Sequence, residues 1–190
     1  MITGYILAGG RSSRMGCDKA FLDLDGRPLI DAAIHRLRPH VGTIIVIGSQ
    51  RNRSRLEELP VEGVLTDLQP DLGPLMGVYT GLMHSETALN LFVPCDMPWI
   101  AAAHVQQLLR AWVLGTSAVA SRGCDDRVYP LPLLCHHQVT RTVGRLLSER
   151  QRSLTALLDA VAAHLVPVQS PELMRSFENL NTPEEYASVS

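Results

Sequence analysis

Short apolar runs alternate with helix-period patterns along the chain, and few folds tolerate that alternation. Gly4-Tyr5-Ile6-Leu7-Ala8, Thr43-Ile44-Ile45-Val46-Ile47, Gly63-Val64-Leu65-Thr66 and Leu89-Asn90-Leu91-Phe92-Val93 each read as a strand. Between them, Leu29, Ile30, Ala33, Ile34 and Leu37 recur at helical spacing, and Pro74 is placed to start a helix running through Val78 and Leu82. A polar helix is expected around Arg53 to Leu59, and Ala101 to Trp112 is a further one. Later, Ser117 to Ser121, Tyr129 to Cys135 and Leu165 to Val168 read as extended, with helices at Gln138 to Leu147 and Leu154 to Ala162. Strands alternating with helices build βαβ units, so the expected fold is α/β, a mostly parallel central sheet with helices on both faces. The length of 190 residues suits one domain with a substantial core.

Composition removes several classes of function. The net charge of −2 and the absence of a basic run beyond the scattered Arg51, Arg53 and Arg55 argue against nucleic acid as a partner. No stretch approaches the roughly 18 to 20 apolar residues of a membrane span, and the start lacks the apolar run of a signal peptide, so a cytoplasmic location without membrane attachment is expected. Cys17, Cys95, Cys124 and Cys135 are widely separated without a Cys-x-x-Cys pair, which speaks against a zinc site or a disulfide framework. Cys95 is expected to be buried at a strand end, and the seven histidines follow no ligand spacing.

The first strand runs into Gly9-Gly10-Arg11-Ser12-Ser13-Arg14-Met15-Gly16-Cys17-Asp18-Lys19. Glycines let backbone approach an anion, and successive N–H groups in such a turn form a partly positive nest. Of the 17 Lys and Arg residues, only Lys19 is a lysine, a compact charge able to sit on a phosphate without bidentate geometry. The loop is neither a P-loop, which requires Gly-Lys-Ser/Thr, nor a dinucleotide fingerprint, which requires Gly-x-Gly-x-x-Gly. In an open parallel sheet, ligands gather at the carboxyl ends of the strands. Ala8-Gly9, Asp67 and Asp96 each follow a strand, so these distant residues are expected to converge on one pocket.

The run Leu-Ala-Gly-Gly-x-Ser-x-Arg-Met-Gly-x-Asp-Lys from Leu7, followed by Asp25-Gly26-Arg27-Pro28-Leu29-Ile30, resembles the signature of Rossmann-like nucleotidyltransferases. More narrowly it resembles the molybdenum cofactor guanylyltransferases, a likeness that continues at Thr66-Asp67, Gly73-Pro74-Leu75-Met76-Gly77, Pro94-Cys95-Asp96-Met97-Pro98 and Asn179-Leu180-Asn181-Thr182-Pro183-Glu184. The resemblance implies one nucleotidyltransferase domain over 1–190, with a nucleotide-binding part at about 1–100 and an acceptor-binding part at about 101–190. It implies transfer of GMP from GTP to a molybdopterin-type molybdenum cofactor, with release of pyrophosphate. Other cofactor-biosynthesis proteins or molybdoenzyme chaperones would be further partners.

The implied roles fall on particular residues. Leu7, Ala8, Gly9 and Gly10 with Lys19, Asp67 and Asp96 would bind the nucleotide; Lys19, Arg14 and Asp96 would be catalytic. Asp96 would hold Mg2+, a hard ion that is bound by one or two carboxylates together with substrate phosphates. An aspartate capping the helix after Pro98 is the competing reading of Asp96, and an ordinary turn aspartate that of Asp67. Asn179 and Asn181 would contact the acceptor, although Asn181-Thr182-Pro183 is also a helix-start sequence. Asp125, Asp126 and Arg127 lie where acceptor contacts are expected, with a weaker hint at Asp71. The second glycine of Leu-Ala-Gly-Gly favours guanine, since cytidylyl-transferring relatives more often carry Leu-Ala-Ala-Gly. Alternatives are the cytidylyltransferase for the same cofactor, a sugar-phosphate nucleotidyltransferase, and a nucleotide-binding accessory protein without turnover.

Overall fold

A computed structural model of the chain describes residues 1–9, 18–69 and 72–180. In chain order the strands and helices are β1 (Ile2–Leu7), β2 (Asp23–Leu24), β3 (Arg27–Pro28), α1 (Leu29–Leu37), β4 (Thr43–Gly48), α2 (Arg53–Leu56), β5 (Gly63–Thr66) and α3 (Pro74–Met83). The second half continues with β6 (Leu89–Pro94), α4 (Ala102–Ala111), β7 (Ala118–Gly123), β8 (Val128–His136), α5 (Thr140–Ser148), α6 (Leu154–Ala160), β9 (His164–Val168) and α7 (Pro171–Met174).

A seven-stranded sheet in the order β5-β4-β1-β6-β8-β7-β9 forms the centre, and β2 with β3 makes a separate two-stranded hairpin. Four neighbouring pairs are parallel; β8 runs antiparallel to both β6 and β7, the one reversed strand in an otherwise parallel sheet. The first four strands follow from the sequence pattern, since strands covered on both faces can be apolar at every position. Tyr5 and Ile6 are fully buried on opposite pleats, as are Leu91 and Phe92.

Helices cover both faces. Gly4 meets Leu37 of α1 on one side, while the adjacent Tyr5 stacks on Phe92 at 4.7 Å and faces Gly81 of α3 on the other. α3, α5 and α6 pack together on the Tyr5 face; α1 and α4 share the opposite one, meeting around Ala33, Val93 and Val105. A Cβ at Gly81 would lie 2.7 Å from Phe92, so this glycine sets how closely α3 approaches the sheet. Gly73, with φ of 83°, turns the chain into α3 at Pro74, a conformation that favours glycine. No helix among the described residues is long and apolar enough to cross a membrane.

Two elements were not expected from the sequence, the β2–β3 hairpin and the segment from Pro171 to Phe177, where α7 leads into one turn of 3-10 helix. The expected helix at Arg53 to Leu59 is shorter, ending at Leu56, and Pro28 stands at the cap of α1 rather than within its first turn.

Candidate functional site

The carboxyl ends of β1, β5 and β6 open onto a cleft of about 500 Å3. Leu7, Ala8, Gly9, Lys19, Asp67, Asp96 and Asn179 all line it, together with Asp18, Ala20, Ile47, Gly73, Gly77 and Leu131. Residues far apart in the chain therefore meet where the strand order predicts.

Hydrogen bonds between neighbouring strand ends fix the floor. The Ala8 N–H donates to the Ile47 carbonyl at 2.7 Å, the Cys95 N–H to the Leu7 carbonyl at 3.1 Å, and the Asn52 amide to the Ala8 carbonyl at 3.1 Å. Asn52 is buried, and its oxygen accepts from the Ser49 N–H at 2.8 Å, so one side chain ties the loops after β1 and β4 together. Among the described residues, a Cβ at Gly9 would come nearest to the Gly48 backbone, at 3.5 Å, an ordinary contact that does not demand glycine there.

Lys19 begins a single 3-10 turn that Asp18 caps by accepting from the Ala20 N–H at 3.1 Å. The cap and the buried Ala20 hold this turn against the body, and Arg55 of α2 places its guanidinium 3.6 Å above the Phe21 ring. From this turn the Lys19 ammonium reaches within 3.8 Å of the Asp96 carboxylate, and both side chains remain partly open to the cleft, 18% and 24% exposed. Burial pushes the Asp96 carboxyl above its ordinary value, and the Lys19 charge opposes that rise. Asp96 does not cap α4, which starts at Ala102 behind Ala101 and has no side-chain cap; its carboxylate is turned to the cleft instead.

Asp67 combines two roles. Its carboxylate accepts from the Thr80 hydroxyl at 3.0 Å, Thr80 accepts in turn from the Leu68 N–H, and the Asp67 N–H donates to Gly48. Burial raises its pKa while the Thr80 hydrogen bond restrains the rise. It is thus a structural turn aspartate that also lines the cleft.

Leu131 of β8 and Asn179, next to the Leu180 that bonds the Asp96 carbonyl, complete the lining. Asp125, Asp126 and Arg127 form the tip of the β7–β8 hairpin and do not line the cleft. The Asp125 carboxylate accepts from the Tyr129 hydroxyl at 2.8 Å and the Arg127 N–H at 3.2 Å; the Tyr129 bond is the main reason its pKa lies below the ordinary carboxylate value. Gly10, Arg14, Cys17, Asp71 and Asn181 lie outside the described residues. Cys95 is buried, with its thiol pKa pushed up by desolvation. Asp18, unremarked as a site residue in the sequence, is discernible only as the neighbour of Lys19 in the Asp-Lys ending of the loop.

The donor set suits a hard cation shared with a substrate. The carboxylates of Asp96 and Asp18 line one cleft, while no cluster of three or more His, Cys, Asp or Glu among the described residues could hold an ion alone.

A family model described as MobA-like NTP transferase domain matches residues 4–168. A molybdenum cofactor guanylyltransferase of Serratia proteamaculans is 38% identical over 188 residues, covering 97% of this chain and 91% of that protein. Among solved structures, molybdopterin-guanine dinucleotide biosynthesis protein A of Archaeoglobus fulgidus superposes with a TM-score of 0.75 at 18% identity, over 98% of this chain and 96% of that one. Rv0371C of Mycobacterium tuberculosis, solved in complex with manganese, superposes with a TM-score of 0.68 at 17% identity, over 99% and 97% of the respective chains.

Proposed function

We propose that this chain, which belongs to the MobA-like NTP transferase family, transfers GMP from GTP to the phosphate of a molybdopterin-type molybdenum cofactor, releasing pyrophosphate and forming the guanine dinucleotide. The observation that carries the reading is the meeting of Lys19, Asp96 and Asp67 with the Leu7-Ala8-Gly9 backbone in one cleft at the strand ends.

The reaction brings two anions together. An oxygen of the acceptor phosphate bonds to the α-phosphorus of GTP as the bond from that phosphorus to the bridging oxygen breaks, and the electron pair leaves with pyrophosphate. Alignment and charge neutralisation are therefore the main catalytic tasks. The Ala8 and Gly9 backbone shapes the nucleotide side, and Asp67, held rigid by Thr80, faces the nucleoside. Lys19, set on its capped turn, neutralises charge on the α-phosphoryl group; Arg14 does so on the leaving pyrophosphate. Asp96 would hold the divalent cation, Mg2+ in this reading, with Asp18 beside it in the cleft. When bound, such an ion draws negative charge from the phosphate oxygens. The carboxylate must be ionised for that role, which the neighbouring Lys19 favours.

The nucleotide side belongs to about 1–100 and the acceptor side to about 101–190, with Leu131 and Asn179 as the acceptor wall. Asn181 contacts the acceptor in this reading.

The test is pyrophosphate release with purified cofactor as acceptor, with GTP or CTP and with Mg2+ or a chelator. Release with GTP that depends on both acceptor and Mg2+ is expected. Faster release with CTP would move the chain to the cytidylyl-transferring relatives, and nucleotide binding without release would make it a non-catalytic binder.

A further inference from the structure

The segment from Arg175 to Leu180 lies along the segment that carries Asp96, contacting it at successive points. The Arg175 guanidinium sits 4.9 Å over the Trp99 ring. The Ala101 N–H donates to the hydroxyl of the fully buried Ser176 at 3.1 Å. Phe177, only 7% exposed, is held between two rings: Tyr129 stacks on it at 3.9 Å, and His104 meets it edge-on at 4.8 Å. The Leu180 N–H donates to the Asp96 carbonyl at 3.1 Å, and its side chain is buried in a small cluster with Leu24 and Leu29.

Asn179 is fixed between these two anchors. Phe177 ties the strap to the β7–β8 hairpin and α4, on the acceptor side, while Leu180 ties it to the β2–β3 hairpin that follows Lys19. Its place in the cleft therefore depends on the Leu180 bond to the Asp96 carbonyl and on ring and side-chain contacts made outside the cleft lining. Phe177 and Tyr129 are absent from the cleft lining, so neither ring can act by contact with a substrate held there.

We propose that Phe177, clamped between Tyr129 and His104, is a positioning residue that holds Asn179 on the acceptor wall and so governs acceptor binding. The inference rests on the transferase reading for what occupies that wall. Nucleotide binding is built on the strand ends, the Lys19 turn and the Asp96 carboxylate, whereas the strap bonds only the Asp96 carbonyl, so loosening the clamp should leave it intact.

The experiment uses the full chain and steady-state kinetics with GTP and the molybdopterin acceptor. Phe177→Leu keeps an apolar side chain but removes both ring contacts; Tyr129→Leu removes one of them from a residue outside the core, and Tyr129→Phe keeps the stack without the hydroxyl. Displacing an alignment contact costs on the order of 10- to 100-fold. Phe177→Leu and Tyr129→Leu are accordingly expected to lower kcat/KM for the acceptor on the order of 10-fold or more and to leave the Kd for GTP unchanged, with Tyr129→Phe restoring near wild-type values. In an Asn179→Ala background the same Phe177→Leu change should cost little further, because the group it positions is gone. Equal losses in both backgrounds, or a parallel loss of GTP binding, would overturn the proposal.

Hydrogen exchange at the Leu180 amide reads the clamp without turnover. Phe177→Leu should speed it, since that amide bonds to the Asp96 carbonyl. Unchanged exchange would refute the clamp even if the wild-type chain proved to transfer nothing. If the wild-type chain proved inactive with this acceptor while Phe177→Leu still sped the exchange, the functional reading would fail and the positioning role would stand.

Discussion

His104 offers a quantitative test of how tightly α4 seals the sheet beside β7. Its imidazole is fully buried, with Nε2 2.8 Å from the Ser121 hydroxyl and Nδ1 without a partner. A second proton would have nothing to bond and no water to solvate it, and desolvation accordingly lowers its pKa from 6.5 to about 4. Because the folded state releases the proton more readily than the unfolded chain, the unfolded chain binds more protons between these two values. Stability from this group is therefore present above pH 6.5 and lost as the pH falls towards 4. Linkage gives a loss of about 2 kcal/mol between pH 7 and pH 5, and about 3 kcal/mol below both values. For a chain of this size that corresponds to a fall in Tm of about 4 to 8 °C by pH 5. The assay is urea unfolding of the wild type and His104→Gln at both pH values. The amide of the variant does not titrate, so the raised carboxyls of Asp67 and Asp96, which push the other way, cancel in the comparison. Wild type should lose about 2 kcal/mol more than the variant. Parallel losses would mean that the imidazole is hydrated or already paired when folded, and the account of α4 as a dry seal would be wrong.

Three further outcomes follow from the cleft. Asp96→Ala should reduce kcat by orders of magnitude while the thermal transition stays cooperative, because its carboxylate makes no helix cap; full activity in Mg2+ would remove it from the cation site. Lys19→Arg keeps the charge but swaps a compact ammonium for a planar fork, and a fall in kcat of tenfold or more is expected; wild-type kinetics would make the lone lysine incidental. Gly9→Ala should fold normally, since its methyl would meet Gly48 at 3.5 Å, whereas Gly48→Ala would bring Cβ to within 2.7 Å of the Asn52 oxygen and displace the side chain that joins the two loops; equal melting temperatures for the pair would contradict this.

The strands were legible because doubly covered strands can be apolar throughout, leaving a signal that local reading detects at β1, β4 and β6. Convergence of Lys19, Asp67 and Asp96 was legible for a topological reason, as each follows a strand or its loop. The reversal of β8 was not, because antiparallel pairing depends on partners rather than on composition. Nor was the strap: Arg175 to Leu180 has no periodicity, and its anchors lie 48 to 156 positions away in the chain. Nor could the sequence show that the Asp125 carboxylate is satisfied by its own turn neighbours, Tyr129 and Arg127.

The reversed strand has a consequence for change over time. The β6–β8 register ends at Phe92↔Leu133, and beyond it Leu131 and Pro94 both line the cleft, so β8 supplies the cleft from its first half, whereas β1 and β6 supply it from their ends. The turn preceding that beginning, from Cys124 to Arg127, is a surface hairpin, where length and sequence vary at least cost. Insertions there would change the surface beyond Leu131 while the strand ends that line the rest of the cleft kept their spacing. One chain direction thus uncouples the two sides of the cleft, so that the β8 side can diversify without rebuilding the ends of β1 and β6.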